Sequence, residues 1–187
     1  MASIGTTPVP ARKRKIHRRD LLRGHWRRPD GWPAVVRPPG AAAPERFHHL
    51  CDGCGECAST CPAGAIRMTG PKTALAGHSP QIEADEAPCV MCEGLVCSDV
   101  CPAGALKKET PDTMRIAEIA FRAEDCLAHK GFDADCSYCF ERCPLRGKAI
   151  TFQRGHGPEL DPGECTGCGT CVFFCPAQPK ALSPTPL

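Results

Sequence analysis

Sixteen cysteines punctuate this 187-residue chain, and they fall into four groups of four with none left over. The groups are Cys51, Cys54, Cys57 and Cys61; Cys89, Cys92, Cys97 and Cys101; Cys126, Cys136, Cys139 and Cys143; and Cys165, Cys168, Cys171 and Cys175. Each group closes with a three-residue gap, a cysteine and a proline (Pro62, Pro102, Pro144 and Pro176). The first and last groups have the C-x2-C-x2-C-x3-C-P spacing that binds [4Fe–4S] clusters. A cubic cluster has four corner irons, and each takes one thiolate. Three cysteines two residues apart wrap one face, while the fourth points away to the cube of a partner run. The proline after it fixes φ and removes a backbone donor. Gly53, Gly55, Gly167 and Gly169 stand between cysteines, where the chain passes close to sulfur and glycine permits positive φ. Successive amides in such a turn form a concavity suited to an anion. The second group has four residues between Cys92 and Cys97, and the third has nine between Cys126 and Cys136. Both keep the ending and read as the same motif with a loop inserted. All sixteen cysteines are therefore expected to be ligands of four [4Fe–4S] clusters.

Other thiol chemistry fits less well. A disulfide framework belongs to small secreted chains, and regular two-residue gaps serve it poorly. Structural zinc uses paired C-x2-C units, without the third cysteine and the Cys-Pro ending. A Rieske centre needs two histidine ligands, and no histidine pair replaces a missing cysteine here. His129 in the nine-residue loop is the only histidine near a motif, and it reads as a surface residue. The chain has no Gly-rich phosphate loop, nucleophile elbow or nicotinamide fingerprint, so no enzymatic activity of its own is expected. The chemistry is that of the cofactor.

The elements that position these cysteines have little bulk to work with. Aromatic residues make up 5% of the chain, against 18 Gly and 20 Pro. The clusters are expected to replace a conventional core, so that the cluster-free chain is largely unfolded. Segments Ala65–Met68, Ala105–Lys108, Ala149–Phe152 and Ala181–Leu182 follow the four Cys-Pro endings, and Gln81–Asp85 and Glu159–Asp161 precede the second and fourth motifs. These predict a short hairpin inside each motif pair. Arg115–Phe121 alternates as a strand, and Thr170–Phe174 predicts a short helix. The fold class is α+β, with two bacterial-ferredoxin-like modules in tandem behind a basic arm. Residues 1–46 form the arm and a Pro/Ala-rich linker (33–46), residues 47–112 the first module, 113–182 the second, and 183–187 a tail. Motif one is expected to pair with two and three with four; the competing arrangement nests two and three inside one and four.

Charge is uneven. Residues 12–28 carry nine Lys/Arg and one acid, a net of +8, which against a total of +2 leaves −6 elsewhere. Arg18-Arg19-Asp20-Leu21-Leu22 has the look of a twin-arginine export signal, but charged Arg23-Gly24-His25-Trp26-Arg27-Arg28 follows where an apolar run is required. Binding to nucleic acid or an anionic membrane is a second reading of the arm, and nothing else in the chain supports nucleic acid. The third is docking to an acidic partner surface, with Trp26 and Trp32 as anchors, or else packing on the chain itself. No apolar run approaches the 18 residues of a transmembrane helix. Free thiolates and clusters suit a reducing cytoplasm.

Arg18-Arg19-x-Leu21-Leu22-x-Gly24-x-Trp26-Arg27, then Arg37-Pro38-Pro39, then the first motif, resembles NapF, the ferredoxin-type family of periplasmic nitrate reductase operons. The third motif, Cys126 to Ile150, resembles the matching motif in NapF and its relatives NapG and MauM. The four-residue gap of the second motif is closer to the NapG form. The resemblance implies a cytoplasmic iron–sulfur protein acting on the catalytic subunit of the periplasmic nitrate reductase before export, in cluster loading or redox maturation. The alternatives are a plain electron-transfer subunit and an iron–sulfur storage module.

Overall fold

The computed structural model describes residues 35–70 and 78–187. In its first part the elements run α1 (Pro44–Leu50), α2 (Glu56–Ser59), β1 (Ile66–Thr69), β2 (Ser79–Ile82), a 3-10 turn (Glu93–Leu95) and α3 (Val96–Asp99). In its second part they run β3 (Ala117–Phe121), a 3-10 turn (Ala123–Asp125), α4 (Tyr138–Glu141), β4 (Ile150–Gln153), β5 (Gly157–Leu160), α5 (Thr170–Phe173) and β6 (Leu182–Pro186). Among the described residues, four of the five helices are single turns of four residues. Helices so short have no stability of their own in water, so tertiary packing has to hold them. Each carries the third cysteine of its motif: Cys57, Cys97, Cys139 and Cys171. The longer α1 starts at Pro44, where a proline costs no hydrogen bond, and buries Phe47 completely.

Both expected hairpins are present. β1 pairs antiparallel with β2, setting Ile66 opposite Ile82, and β4 with β5, setting Ile150 opposite Leu160. β3 finds its partner at the far end of the chain, in β6, with Phe121 opposite Leu182 and Ala117 opposite Pro186. The expected tail is therefore a strand. The Arg122 amide donates to the Ala181 carbonyl at 2.8 Å, so bonded pairs fall on alternate residues of this ladder. Pro184 and Pro186 take the positions between, which owe no bond; this is how an edge strand tolerates proline.

The expected linker is also built into the fold. Val36, Pro38 and Pro39 are buried, and the Val36 carbonyl accepts from the Ile82 amide at 2.8 Å. Ala41 bridges to Leu106, in the segment expected to extend after the second motif. Gly40 lies so close to Lys107 that a Cβ would sit 1.9 Å from the Lys107 carbonyl oxygen. Proline-rich composition suggested a spacer; here it supplies apolar surface that needs no donor partners. The basic arm, with Trp26 and Trp32, lies outside the described residues.

The core is thin and partly made of sulfur. One cluster gathers Phe47, Leu95, Met114, Ile66, Ile82 and Val36 around cysteines, a second gathers Ile150, Val172 and Leu182, and a third joins Ala128, Ala177 and Ala181. Cys168 belongs to the first cluster and Ala84 to the second, so each half reaches into the other. The described residues accordingly form one compact unit.

Candidate metal centres

Three recesses are each lined by four cysteines. Cys51, Cys54, Cys57 and Cys101 line the first, with Phe47, Met68, Pro80 and Leu106. Cys126, Cys136, Cys139 and Cys175 line another, with Phe121, Leu127 and Leu182. Cys165, Cys168, Cys171 and Cys143 line a third, with Ile119, Ile150 and Leu160. The three recesses are closely similar in size. The remaining cysteines form the fourth group, in which Cys89, Cys92 and Cys61 act electrostatically on Cys97. Sites are numbered by the motif that supplies the first three cysteines. The fourth cysteine crosses over in each: Cys101 to site one, Cys61 to site two, Cys175 to site three and Cys143 to site four. This is the adjacent pairing of motifs, one with two and three with four. The loop insertions before Cys97 and Cys136 leave both groups intact.

No disulfide joins any of the sixteen cysteines. Among the described residues no group of three or more Cys, His, Asp or Glu side chains stands close enough to hold a single metal ion. In the three recesses four cysteines line a shared space, as the ligands of a multi-iron cluster would. Backbone amides two residues on turn toward sulfur: those of Gly53, Met91, Tyr138, Leu145 and Gly167 face Cys51, Cys89, Cys136, Cys143 and Cys165. The Leu106 amide donates to Cys101 Sγ at 3.5 Å. Such amides favour a thiolate-bound, anionic group.

Burial dominates the electrostatics of these thiols. It pushes Cys57 and Cys89 up to about 11, and Cys97 and Cys139 up to about 12. Cys171 is raised as well, first by burial and then by Cys168, Cys165 and Cys139. Four thiolates in such surroundings need a cationic core, and a [4Fe–4S] cluster provides one. The donor set, the space and the amides all fit that group.

The electrostatic neighbours also order the sites. Cys97 of site two feels Cys57 of site one, Cys89 of site two feels Cys168 of site four, and Cys171 of site four feels Cys139 of site three. The Cys89 amide donates to the Cys168 carbonyl at 3.0 Å across the seam. The spatial sequence is thus one, two, four, three. His129 lies at the surface, its ring against the His156 carbonyl. Sequence alone did not mark Phe47 and Leu182, which line sites one and three, or Arg37, which lies behind Phe47; the apolar Val35-Val36 pair before Arg37 was the signal that residues 35–46 are not a spacer.

A 4Fe–4S dicluster domain matches residues 50–105, and a 4Fe–4S binding domain matches residues 156–177. The methylamine utilization ferredoxin-type protein MauM of Methylobacillus flagellatus is 35% identical over 170 residues, covering 85% of this chain and 71% of its own. The chain belongs to the MauM/NapG family of ferredoxin-type proteins. The ferredoxin-type protein NapG of Escherichia coli is 32% identical over 165 residues, with 81% and 71% covered. MauM of Paracoccus denitrificans is 33% identical over 152 residues, with 75% and 66% covered. The resemblance to NapG and MauM read from the third motif is thus shown as kinship. Members of the MauM/NapG family are ferredoxin-type iron–sulfur proteins, and no helix among the described residues is long and apolar enough to cross a membrane.

Proposed function

We propose that this protein is a one-electron carrier that holds four [4Fe–4S] clusters through all sixteen cysteines and serves a redox partner. The observation that carries this reading is the run of four-cysteine sites, each completed by the neighbouring motif, in the unbroken order one, two, four, three. When bound, a [4Fe–4S] cluster supplies reversible one-electron chemistry at a potential its surroundings set. The chain's own residues hold, insulate and tune. Cys61, Cys101, Cys143 and Cys175 tie the motifs together in pairs. Phe47, Phe121 and Leu182 keep water from sites one and three. The amides facing sulfur stabilise negative charge and so influence potential. Anaerobic reductive titration tests the reading: reversible uptake of one electron per site supports it, and bleaching with iron release sinks it.

A finer reading makes the protein a NapF-type factor that acts in the cytoplasm on the catalytic subunit of the periplasmic nitrate reductase. It is supported by the arginine pair Arg18-Arg19 followed by charged Arg23–Arg28, which suits docking better than export. Mixing the loaded protein with that subunit in its iron-free form separates the two readings. Iron moving into the subunit with gain of activity favours maturation; iron retained while the clusters change oxidation state favours a carrier.

A further inference from the structure

The Arg37-Pro38-Pro39 run stands 14 residues ahead of the first ligand, yet the fold returns it to site one. Arg37 is half-buried. Its guanidinium lies over the Phe47 ring, 4.7 Å from the centroid, and donates to the Pro80 carbonyl at 2.8 Å and to the Ser79 hydroxyl. Phe47 and Pro80 both line the recess formed by Cys51, Cys54, Cys57 and Cys101. The cation therefore sits one side chain behind that recess, and the segment carrying it is fixed. Val36, Pro38 and Pro39 are buried on either side of it, and Gly40 is bonded to Lys107, whose amide donates to the Gly40 carbonyl at 2.7 Å.

The four sites differ in their fixed charges. Cys51 of site one acts on Arg37, raising the pKa that burial lowers, while Cys51 itself is raised first by burial and also by its neighbour Asp52. Cys165 of site four feels Arg115, but that side chain is exposed and screened. Cys136 of site three feels an acid, Asp133. Among the described residues, site one alone has a half-buried arginine held over an aromatic wall. Arginine does not lose its proton in proteins, so this charge is permanent.

We propose that Arg37 is the positioning charge that raises the reduction potential of site one. The inference rests on the carrier reading above. When an outside one-electron donor is oxidised and site one is reduced, the site gains one negative charge, and a fixed cation beside it favours that state. Site one is also a terminus of the series one, two, four, three, so Arg37 makes that end the preferred resting place of the electron.

The test is an anaerobic potentiometric titration of the full chain, followed by electron paramagnetic resonance, with iron content measured alongside. Arg37→Gln is expected to move one midpoint to more negative potential by about 59 mV, the equivalent of a tenfold change for a one-electron couple. The other midpoints stay within error, and Arg37→Lys restores most of the shift. The moved signal must be the one altered in Cys54→Ser, which marks site one. If Arg37→Gln fails to load, Ser79→Asp takes its place. That change keeps Arg37 over Phe47, neutralises its charge, and is expected to move the same midpoint in the same direction. Unchanged midpoints in a loaded Arg37→Gln or Ser79→Asp protein overturn the proposal, as does an equal shift of every midpoint. If the wild-type protein shows no reversible reduction at all, the carrier reading fails, and with it any potential for Arg37 to set.

Discussion

Gly167 offers a controlled perturbation of the packing of site four against β3. It lies between Cys165 and Cys168 with φ +72°, and an added Cβ would stand 2.0 Å from the Ala117 carbonyl oxygen and 2.5 Å from the Ala117 nitrogen. Those are backbone atoms at the start of β3, so they cannot swing aside as a flexible side chain would. Gly155 has nearly the same conformation, φ +75°, but nothing within 4 Å of its Cβ position. Alanine at either place meets the left-handed penalty of roughly 1–2 kcal/mol. Only Gly167→Ala adds overpacking, about 1–3 kcal/mol. The difference between the variants isolates the close approach, and at 1.4 kcal/mol per tenfold it corresponds to roughly a 5- to 150-fold change in an equilibrium constant. Anaerobic urea titration of each loaded protein, following visible cluster absorption and released iron, measures it. Gly167→Ala is expected to lose iron at distinctly lower urea than Gly155→Ala. Equal midpoints for the two variants would refute the reasoning, because strain alone would then account for the glycine.

Three other perturbations probe different parts of the structure. Cys101→Ala should deplete the same cluster as Cys54→Ala, and not the one affected by Cys89→Ala, because Cys101 belongs to site one; cluster-resolved paramagnetic spectra decide. Leu182→Ala removes a side chain only 2% exposed that walls site three and pairs with Phe121. It should cost about 2–5 kcal/mol and shed iron from site three first, read as iron per chain after partial denaturation. In the cluster-free chain the raised thiols set a pH dependence. Cys57, Cys89, Cys97 and Cys139 stand at about 11 to 12 when folded against an ordinary 9.0. The unfolded chain gives up these protons first, so whatever residual structure the empty chain keeps is most stable below pH 9 and is lost as pH rises toward 12. Cluster binding displaces the same protons, so loading has the opposite sign and strengthens as pH rises. Circular dichroism of the empty chain and iron retention of the loaded one, each from pH 6 to 11, check both directions.

The cysteine runs were the legible part of this molecule. Ligand spacing is local geometry, and it foretold groups that the structure brings together. The hairpins were legible because Ile66, Ile82, Ile150 and Leu160 alternate beside turn residues. Arg115–Phe121 could be read as a strand, but its pairing with Leu182–Pro186 could not. A run holding two prolines has no strand signature until the bonded and unbonded positions of the ladder are known. Residues 35–43 were misread for a related reason. Pro38, Pro39 and Ala41 are spacer-like in composition, and their burial depends on Ile82, Leu106 and Lys107 far along the chain. The cation at site one was invisible for the same cause, since Arg37 meets Ser79 and Pro80 only in three dimensions.

The most direct test of the account is an electron and iron count on the anaerobically reconstituted protein. The account predicts one [4Fe–4S] cluster per four-cysteine group, four in all, each taking up and returning one electron without loss of iron. Two clusters with half of the cysteines still open to alkylation, or clusters that leave the chain on reduction, would contradict it.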